Sequence, residues 1–275
     1  NSHARLGAKR VVDVHQGQGP IVLAQPQGGT FLPEDVFARL NARGQRLADT
    51  DWHIAQLYDG LLETATVVRS NVHRYMIDAN RDPADVSLYP GQNTTSLCPL
   101  TDFDGKEIWR AGQQPSADER AARQAAFHAP YHAALREELA RVKVLHGCVV
   151  LYDCHSIRSE IPFLFEGVLP TFSIGTNSGA SCASQVEGEM MAICEASTGF
   201  RTVVNGRFKG GWTTRHYGQP SNGVHAIQME LAQCAYMTEA PPWSYLPDRA
   251  DRLRPVLADI LAALDTCARS GELIP

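Results

Sequence analysis

The chain has no lysine- or arginine-rich block, no long apolar run, no Cys-x-x-Cys pair and no internal repeat. Each absence removes a class of function. Without a basic block there is no electrostatic footprint for nucleic acid, and the net charge is a mild −5. No apolar run approaches the roughly 18 residues that a membrane-spanning helix needs. The start, Asn1 to Arg10, is polar and carries no apolar stretch, so no secretory signal is expected there. It also lacks an initiator Met, as a trimmed start would. The seven cysteines are an odd number, and several lie in apolar runs such as Gly147-Cys-Val-Val-Leu-Tyr152. That pattern favours buried free thiols in a reducing, cytoplasmic setting over a disulfide framework. Cys154 alone has a His beside it, which leaves one candidate for a thiol nucleophile.

The chain does have a regular alternation of strand-like and helix-like segments. Its 275 residues are enough to bury one good core, and a single domain over 1–275 is expected, with 1–15 an irregular N-terminal segment. The run Ile21-Val-Leu-Ala24 ends in Pro26-Gln27-Gly28-Gly29, a buried strand that delivers a loop. Pro33 should open a helix ending near Gly44, and a second helix carries Ile54, Leu57, Tyr58, Leu61 and Leu62. Strands are expected at Thr64–Val68, Tyr75–Asp78, Cys148–Asp153, Thr171–Gly175, Phe200–Asn205 and Val224–Leu231. Ser116-Ala-Asp-Glu119 is a capping box that starts a long helix to about Leu145, which Pro130 should kink or divide. Further helices are expected at Ser184–Ala196 and Arg249–Arg269. Residues 80–115 are rich in Pro, Gly, Asp and Thr and form a long irregular binding loop. The fold class is α/β, a mixed, mostly parallel sheet with helices on both faces. Such folds bind ligands beyond the carboxyl ends of their strands.

Four such ends carry chemistry. Asp153-Cys-His155-Ser-Ile-Arg158 leaves a buried strand, and a His in that place suits metal ligation or acid–base work, or a plain structural hydrogen bond. Gln228-Met-Glu230 alternates so that both polar side chains share one face. A Glu inside so apolar a strand is costly unless it is paired or functional, so Glu230 is a candidate general base or half of a buried ion pair. In Asp49-Thr-Asp51-Trp-His53, the acids either cap a helix or bind a metal. Lastly, Arg74 and Arg81 flank a strand and its exit loop, and Arg207, Lys209 and Arg215 lie beside glycines, a cationic set suited to an anionic ligand or to surface ion pairs.

These motifs also carry a family resemblance. Asp49-Thr-Asp-Trp-His53, Tyr75-Met-Ile-Asp-Ala-Asn-Arg81, Asp153-Cys-His-Ser-Ile-Arg158, Gly175-Thr-Asn-Ser-Gly-Ala-Ser-Cys182, Asn205-Gly-Arg-Phe-Lys-Gly-Gly211, Thr214-Arg-His-Tyr-Gly218 and Gln228-Met-Glu-Leu-Ala-Gln233 stand in the family's order. Over about Val22 to Ala268 the chain resembles the N-formylglutamate amidohydrolases. The resemblance implies a fold similar to zinc carboxypeptidases and aspartoacylase. It also implies hydrolysis of N-formyl-L-glutamate to formate and L-glutamate, a late step of histidine degradation. The cofactor it implies is Zn²⁺ or another divalent metal, and the partner a small anionic amino-acid derivative. Carried over residue by residue, the metal ligands would be an acid of Asp49-Thr-Asp51, with Asp51 favoured, and His155. The family's first strand usually ends Pro-His-Ser/Ala-Gly; here Gln27 stands at that ligand position, which weakens or removes it, and His53 is an alternative donor. Glu230 would be the base. The substrate carboxylates would fall to some of Arg74, Arg81, Arg158, Arg207 and Arg215, with Asn80 beside them.

Overall fold

The computed structural model describes residues 5, 6 and 9–275. Nine strands are described among them. Arg5–Leu6 (β1) and Lys9–Arg10 (β2) form a small ribbon. The others are Val12–His15 (β3), Ile21–Gln25 (β4), Thr66–Ser70 (β5), Val149–Ile157 (β6), Phe172–Gly175 (β7), Thr202–Val204 (β8) and Val224–Ala232 (β9). These seven make one sheet in the order β3-β5-β4-β6-β9-β7-β8. Only the β3–β5 and β7–β9 pairs are antiparallel, so the sheet is mixed and mostly parallel, as expected.

Alternation along the central strands divides the core between two faces. Val150, Tyr152 and Cys154 of β6 and Ile227, Met229 and Leu231 of β9 pack on one side. They meet helices Ile54–Tyr58 (α1), Ser184–Ala196 (α2) and Pro247–Arg269 (α3), the last two matching their expected spans within two residues. On the other side Val149, Leu151 and Ala226 meet Tyr131, Leu135, Leu139 and Val142 of helix Ala129–His146 (α4), and Tyr217 at the end of the short helix Trp212–Tyr217. The capping box holds: Ser116 Oγ accepts from the Glu119 N–H at 3.1 Å. Pro130 does not break the helix that follows. Residues Gln124–His128 widen into a π turn just before it, which absorbs the lost hydrogen bond.

Two expectations are corrected. Tyr75–Asp78 is a buried turn, not a strand. Tyr75, Met76 and Ile77 are all buried without alternation, in a local cluster with Leu97, Ile108 and Trp109. The turn closes through Met76 N–H to the His73 carbonyl, and Asp78 N–H reaches Leu97. The segment therefore packs beneath the 80–115 loop rather than joining the sheet. Part of the expected irregular start, 1–15, lies outside the described residues; within the described part, β3 is an ordered edge strand. Residues 81–115 contain no helix or sheet strand, and they carry buried side chains such as Thr95, Phe103 and Ile108.

Candidate functional site

The site arises where the α4-facing rows of β6 and β9 change character. In β6 the row runs Val149, Leu151, Asp153, His155; in β9 it runs Ala226, Gln228, Glu230. The apolar members lie under α4 and the polar ones beyond its cover. His155 and Glu230 are direct neighbours in the parallel register. Both long strands continue through their functional residues, so the chemistry sits within the strands and not in loops after them.

A narrow cleft opens over this end of the sheet. Gln27, Arg74, Asn80, Arg81, Tyr89, Phe103, Arg207, Gln228 and Glu230 are among its walls. Glu230 is nearly buried and has no hydrogen-bond partner among the described residues. Burial pushes its carboxyl up to about 8, although His155 pulls the other way. Gln228 Oε1 accepts from the Gly211 N–H at 2.8 Å, and Thr213 N–H donates to Asn80 Oδ1 at 2.9 Å. A Cβ at position 211 would lie 2.4 Å from the Asn80 amide nitrogen, so this close approach requires glycine.

Beside Glu230 runs a chain of buried charges. His155 Nε2 contacts Asp153 Oδ1 at 2.7 Å and its Nδ1 contacts Asp51 Oδ2 at 3.0 Å. Burial opposes the imidazolium, but the two carboxylates outweigh it and raise the His155 pKa well above the usual range. Thr214 Oγ1 donates to the other oxygen of Asp153. Asp78 is a second hub. It accepts from Gln27 Nε2 at 2.7 Å, Arg74 at 2.9 Å and the Asn80 N–H at 2.9 Å, with Arg81 at 3.5 Å. Burial alone would raise its pKa; Arg81, Arg74 and the N–H donors bring it below the ordinary value. Arg74 also lies 3.6 Å from Asp51 and stacks on Phe103 at 4.6 Å.

The structure thus brings together Gln27, Asp51, Arg74, Asn80, Arg81, His155, Arg207 and Glu230. Two expected arginines are placed elsewhere. Arg158 turns to Asp104 and Asp49 and lines a different surface cleft with Arg43 and Asp102. Arg215, in the short helix Trp212–Tyr217, donates to the Gly210 carbonyl and is not on the cleft wall. Of the two acids, Asp51 meets His155, while Asp49 accepts from the Tyr75 hydroxyl and the Phe103 N–H. His53 binds the Trp243 carbonyl at 2.6 Å and is no donor to the site. Cys154 faces the opposite side of the sheet, and burial lifts its thiol well above the normal pKa, so it is not a nucleophile. Sequence reasoning missed Tyr89 and Phe103, which lie in the irregular segment without periodicity to mark them.

A catalytic zinc normally takes three protein ligands and a water. Asp51 and His155 are adjacent, but both imidazole nitrogens already face carboxylates. The Gln27 amide is committed through its nitrogen to Asp78, and the Arg74 guanidinium approaches Asp51. Among the described residues no group of three or more His, Cys, Asp or Glu is arranged to hold a metal ion. The residues present do not fit a three-ligand zinc site.

Comparison with known proteins places the chain. The family model described as N-formylglutamate amidohydrolase matches residues 19–237. The chain belongs to this family. It is 46% identical over 255 residues to the N-formylglutamate deformylase of Pseudomonas aeruginosa, covering 92% of this chain and 96% of that protein. The N-formylglutamate deformylase of Pseudomonas putida is 43% identical over 256 residues, covering 93% and 96%. Among solved structures, an N-formylglutamate amidohydrolase from Ralstonia eutropha JMP134 superposes with a TM-score of 0.77 at 22% identity, covering 94% of this chain and 98% of that one. A gene product of Agrobacterium tumefaciens gives 0.73 at 18% identity, covering 95% and 97%. These two likenesses show the fold.

Proposed function

We propose that the chain hydrolyses N-formyl-L-glutamate to formate and L-glutamate. The observation that carries this reading is Glu230, an unpartnered carboxyl at a cleft whose walls also bear Arg74, Arg81 and Arg207. The names of the Pseudomonas relatives support the choice of substrate. Arg74 and Arg81 are already drawn to Asp78, whereas Arg207 has no carboxylate partner among the described residues; its donors go to the Leu164 and Asn93 carbonyls. Arg207 is therefore the group we assign to a substrate carboxylate. Glu230, with a carboxyl pushed up to about 8, takes a proton from water in its ionised form, whose share grows as pH rises toward 8. As the water oxygen bonds to the formyl carbon, its proton passes to Glu230. The C–N bond then breaks, and the same proton goes to the departing amine. Arg74 faces the cleft beside Glu230 and would steady the oxyanion between the two steps.

Zinc or another divalent metal is the cofactor the family resemblance implies. The donor set departs from it at Gln27, so the steps above use only this chain's own residues. Gln27 also favours a second reading, a relative that binds the anionic amino acid and turns it over poorly. The free thiols, five of them buried, support a reducing compartment, and no helix among the described residues is long and apolar enough to cross a membrane. The test is formate release from N-formyl-L-glutamate and from other N-acyl amino acids, with and without added Zn²⁺, Co²⁺ or Mn²⁺, alongside the metal content of the purified protein. Formate release from N-formyl-L-glutamate alone supports the proposal. Preference for another acyl group makes the chain a different deacylase, and binding without release supports the second reading.

A further inference from the structure

Tyr89 stands in the irregular segment and on the cleft wall, and it touches the distant 207–215 stretch. Its hydroxyl accepts from the Lys209 N–H at 3.0 Å and donates to the Gly210 carbonyl at 3.2 Å. Its ring carries two guanidinium groups, Arg207 and Arg215, each 5.1 Å from the centroid. Arg215 also donates to that same Gly210 carbonyl at 2.7 Å and reaches the Leu88 carbonyl at 3.4 Å. Arg207 stacks on Phe208 as well, at 5.3 Å, and one of its donors holds Asn93, four residues beyond Tyr89 in the same segment. The Lys209–Gly210 strap lies against the end of β7, where a Cβ on Gly175 would come within 2.6 Å of the Gly210 nitrogen. Tyr89 thus joins a segment without helix or strand to a strap fixed against the sheet.

A cleft arginine without a carboxylate partner must be held by something else, or it will turn toward bulk water, where a guanidinium is better hydrated. Two carbonyls and two aromatic rings do this for Arg207, and aromatic faces attract guanidinium ions through the ring quadrupole. They leave the guanidinium charge uncompensated, ready for an incoming anion. Arg81, on the same cleft wall, is turned to Asp78 instead.

We propose that Tyr89 is a positioning residue for Arg207 and thereby sets the preference of the cleft for a dicarboxylate over a monocarboxylate. The proposal rests on the assignment of Arg207 to a substrate carboxylate made above. It explains why a phenol is useful at this place. The ring presents a face to each guanidinium, and the hydroxyl fixes the ring to the strap at the same time. An aliphatic residue would supply neither, and phenylalanine would supply only the faces.

The test uses calorimetric titration of the full chain with glutarate and with butyrate, which differ by one carboxylate. It compares the parent with Tyr89→Leu and Tyr89→Phe, with thermal midpoints to confirm folding. We expect Tyr89→Leu to weaken glutarate roughly tenfold while butyrate is unchanged, and Tyr89→Phe to fall between parent and Tyr89→Leu, because the stacking survives and only the hydroxyl bonds to the strap are lost. In turnover of N-formyl-L-glutamate, KM should rise with the same ratio in Tyr89→Leu and kcat should hold. The proposal is overturned if Tyr89→Leu binds glutarate like the parent. It is also overturned if both acids weaken alike, which is mere loosening, or if Tyr89→Phe is as poor as Tyr89→Leu. A parent that needs Tyr89 to bind glutarate but releases no formate leaves this inference standing and removes the proposed activity. An active parent indifferent to Tyr89→Leu does the reverse.

Discussion

The two faces of β9 differ from one another more than most pairs of elements in this fold. On one face Ile227, Met229 and Leu231 are fully buried against helices from start to finish. On the other, Ala226 is followed by Gln228 and Glu230, which enter the cleft. Neighbouring β6 repeats the contrast, with Val150, Tyr152 and Cys154 on the first face and Asp153 and His155 on the second. One strand therefore contributes hydrophobic burial with one side and carries buried charge with the other. The second role is costly: a carboxyl held out of water without a hydrogen-bond partner destabilises the fold that contains it. The stability that tolerates Glu230 comes from the residues on either side of it in sequence.

That contrast is broken most severely from the apolar side. Ile227→Ala should cost about 2–5 kcal/mol of stability, read from the denaturant midpoint, because a fully buried side chain leaves a cavity that its neighbours cannot close. Its effect on KM should be small. A large KM change at unchanged stability would mean that the two faces are not separable.

From the polar side, Glu230→Gln keeps shape and removes the base. Turnover should fall at least ~10²-fold, equal to about 2.7 kcal/mol, with the fold intact. Hydrolysis at the parent rate would end the assignment of Glu230. The same group makes a pH prediction with a definite sign. Its folded pKa, about 8, lies above the ordinary 4.5, so the carboxylate needed for catalysis accumulates as pH rises through about 8, and kcat/KM should climb over that range. Because the folded state holds this proton more tightly than the unfolded chain, the associated stability is complete below about 4.5 and is lost as pH rises toward about 8. Thermal midpoints of Glu230→Gln should show a flatter pH slope than the parent.

How far the site was legible follows from the same faces. Alternation in β6 and β9 is visible in the sequence, and it places Gln228 with Glu230 on one side of the sheet as observed. The α/β order and the capping box at Ser116 were legible because each rests on local chemistry. The Tyr75–Asp78 turn was not, because its apolar residues imitate a strand while their partners, Leu97 and Trp109, lie far along the chain. Five arginines looked alike in sequence. Tertiary pairing separates them: Asp104 draws Arg158 aside, Gly210 holds Arg215, and Arg207 has no acid beside it among the described residues. No periodicity could foretell that.

Gln27 sharpens the comparison at the junction of the two charge hubs. Its amide nitrogen serves Asp78, and its backbone carbonyl accepts from the Asp51 N–H at 3.1 Å, so it sits beside the Asp51–His155 pair. A histidine at this position would add a good nitrogen donor there. We expect Gln27→His to bind Zn²⁺ on the order of tenfold or more tightly than the parent in calorimetric titration of metal-free protein, since even outer partners of a zinc site change affinity by that much. Activity should rise with it if Asp51 and His155 turn to the metal. Equal affinity in parent and variant would show that position 27 does not face the metal, or that another residue already supplies the donor.

The smallest expected effect concerns the free cation. N-formyl-L-glutamine has the shape of N-formyl-L-glutamate but lacks its side-chain charge. Bound in the cleft, it would leave one guanidinium without a counter-ion, and Arg207 is a cleft arginine with no carboxylate partner among the described residues. The neutral amide can still accept a hydrogen bond, so the loss is the charge-assisted part of the contact and not the whole of it. The kcat/KM for N-formyl-L-glutamine should therefore be about tenfold lower, or roughly 1.4 kcal/mol. Arg207→Ala should lower the efficiency for the glutamate compound and bring the two substrates nearly level. If the parent already treats them alike, the cleft does not read the second carboxylate, and a broader N-acyl amino acid hydrolase replaces the proposed activity. If Arg207→Ala leaves the difference intact, the charge is read by Arg74 or Arg81 despite their bonds to Asp78.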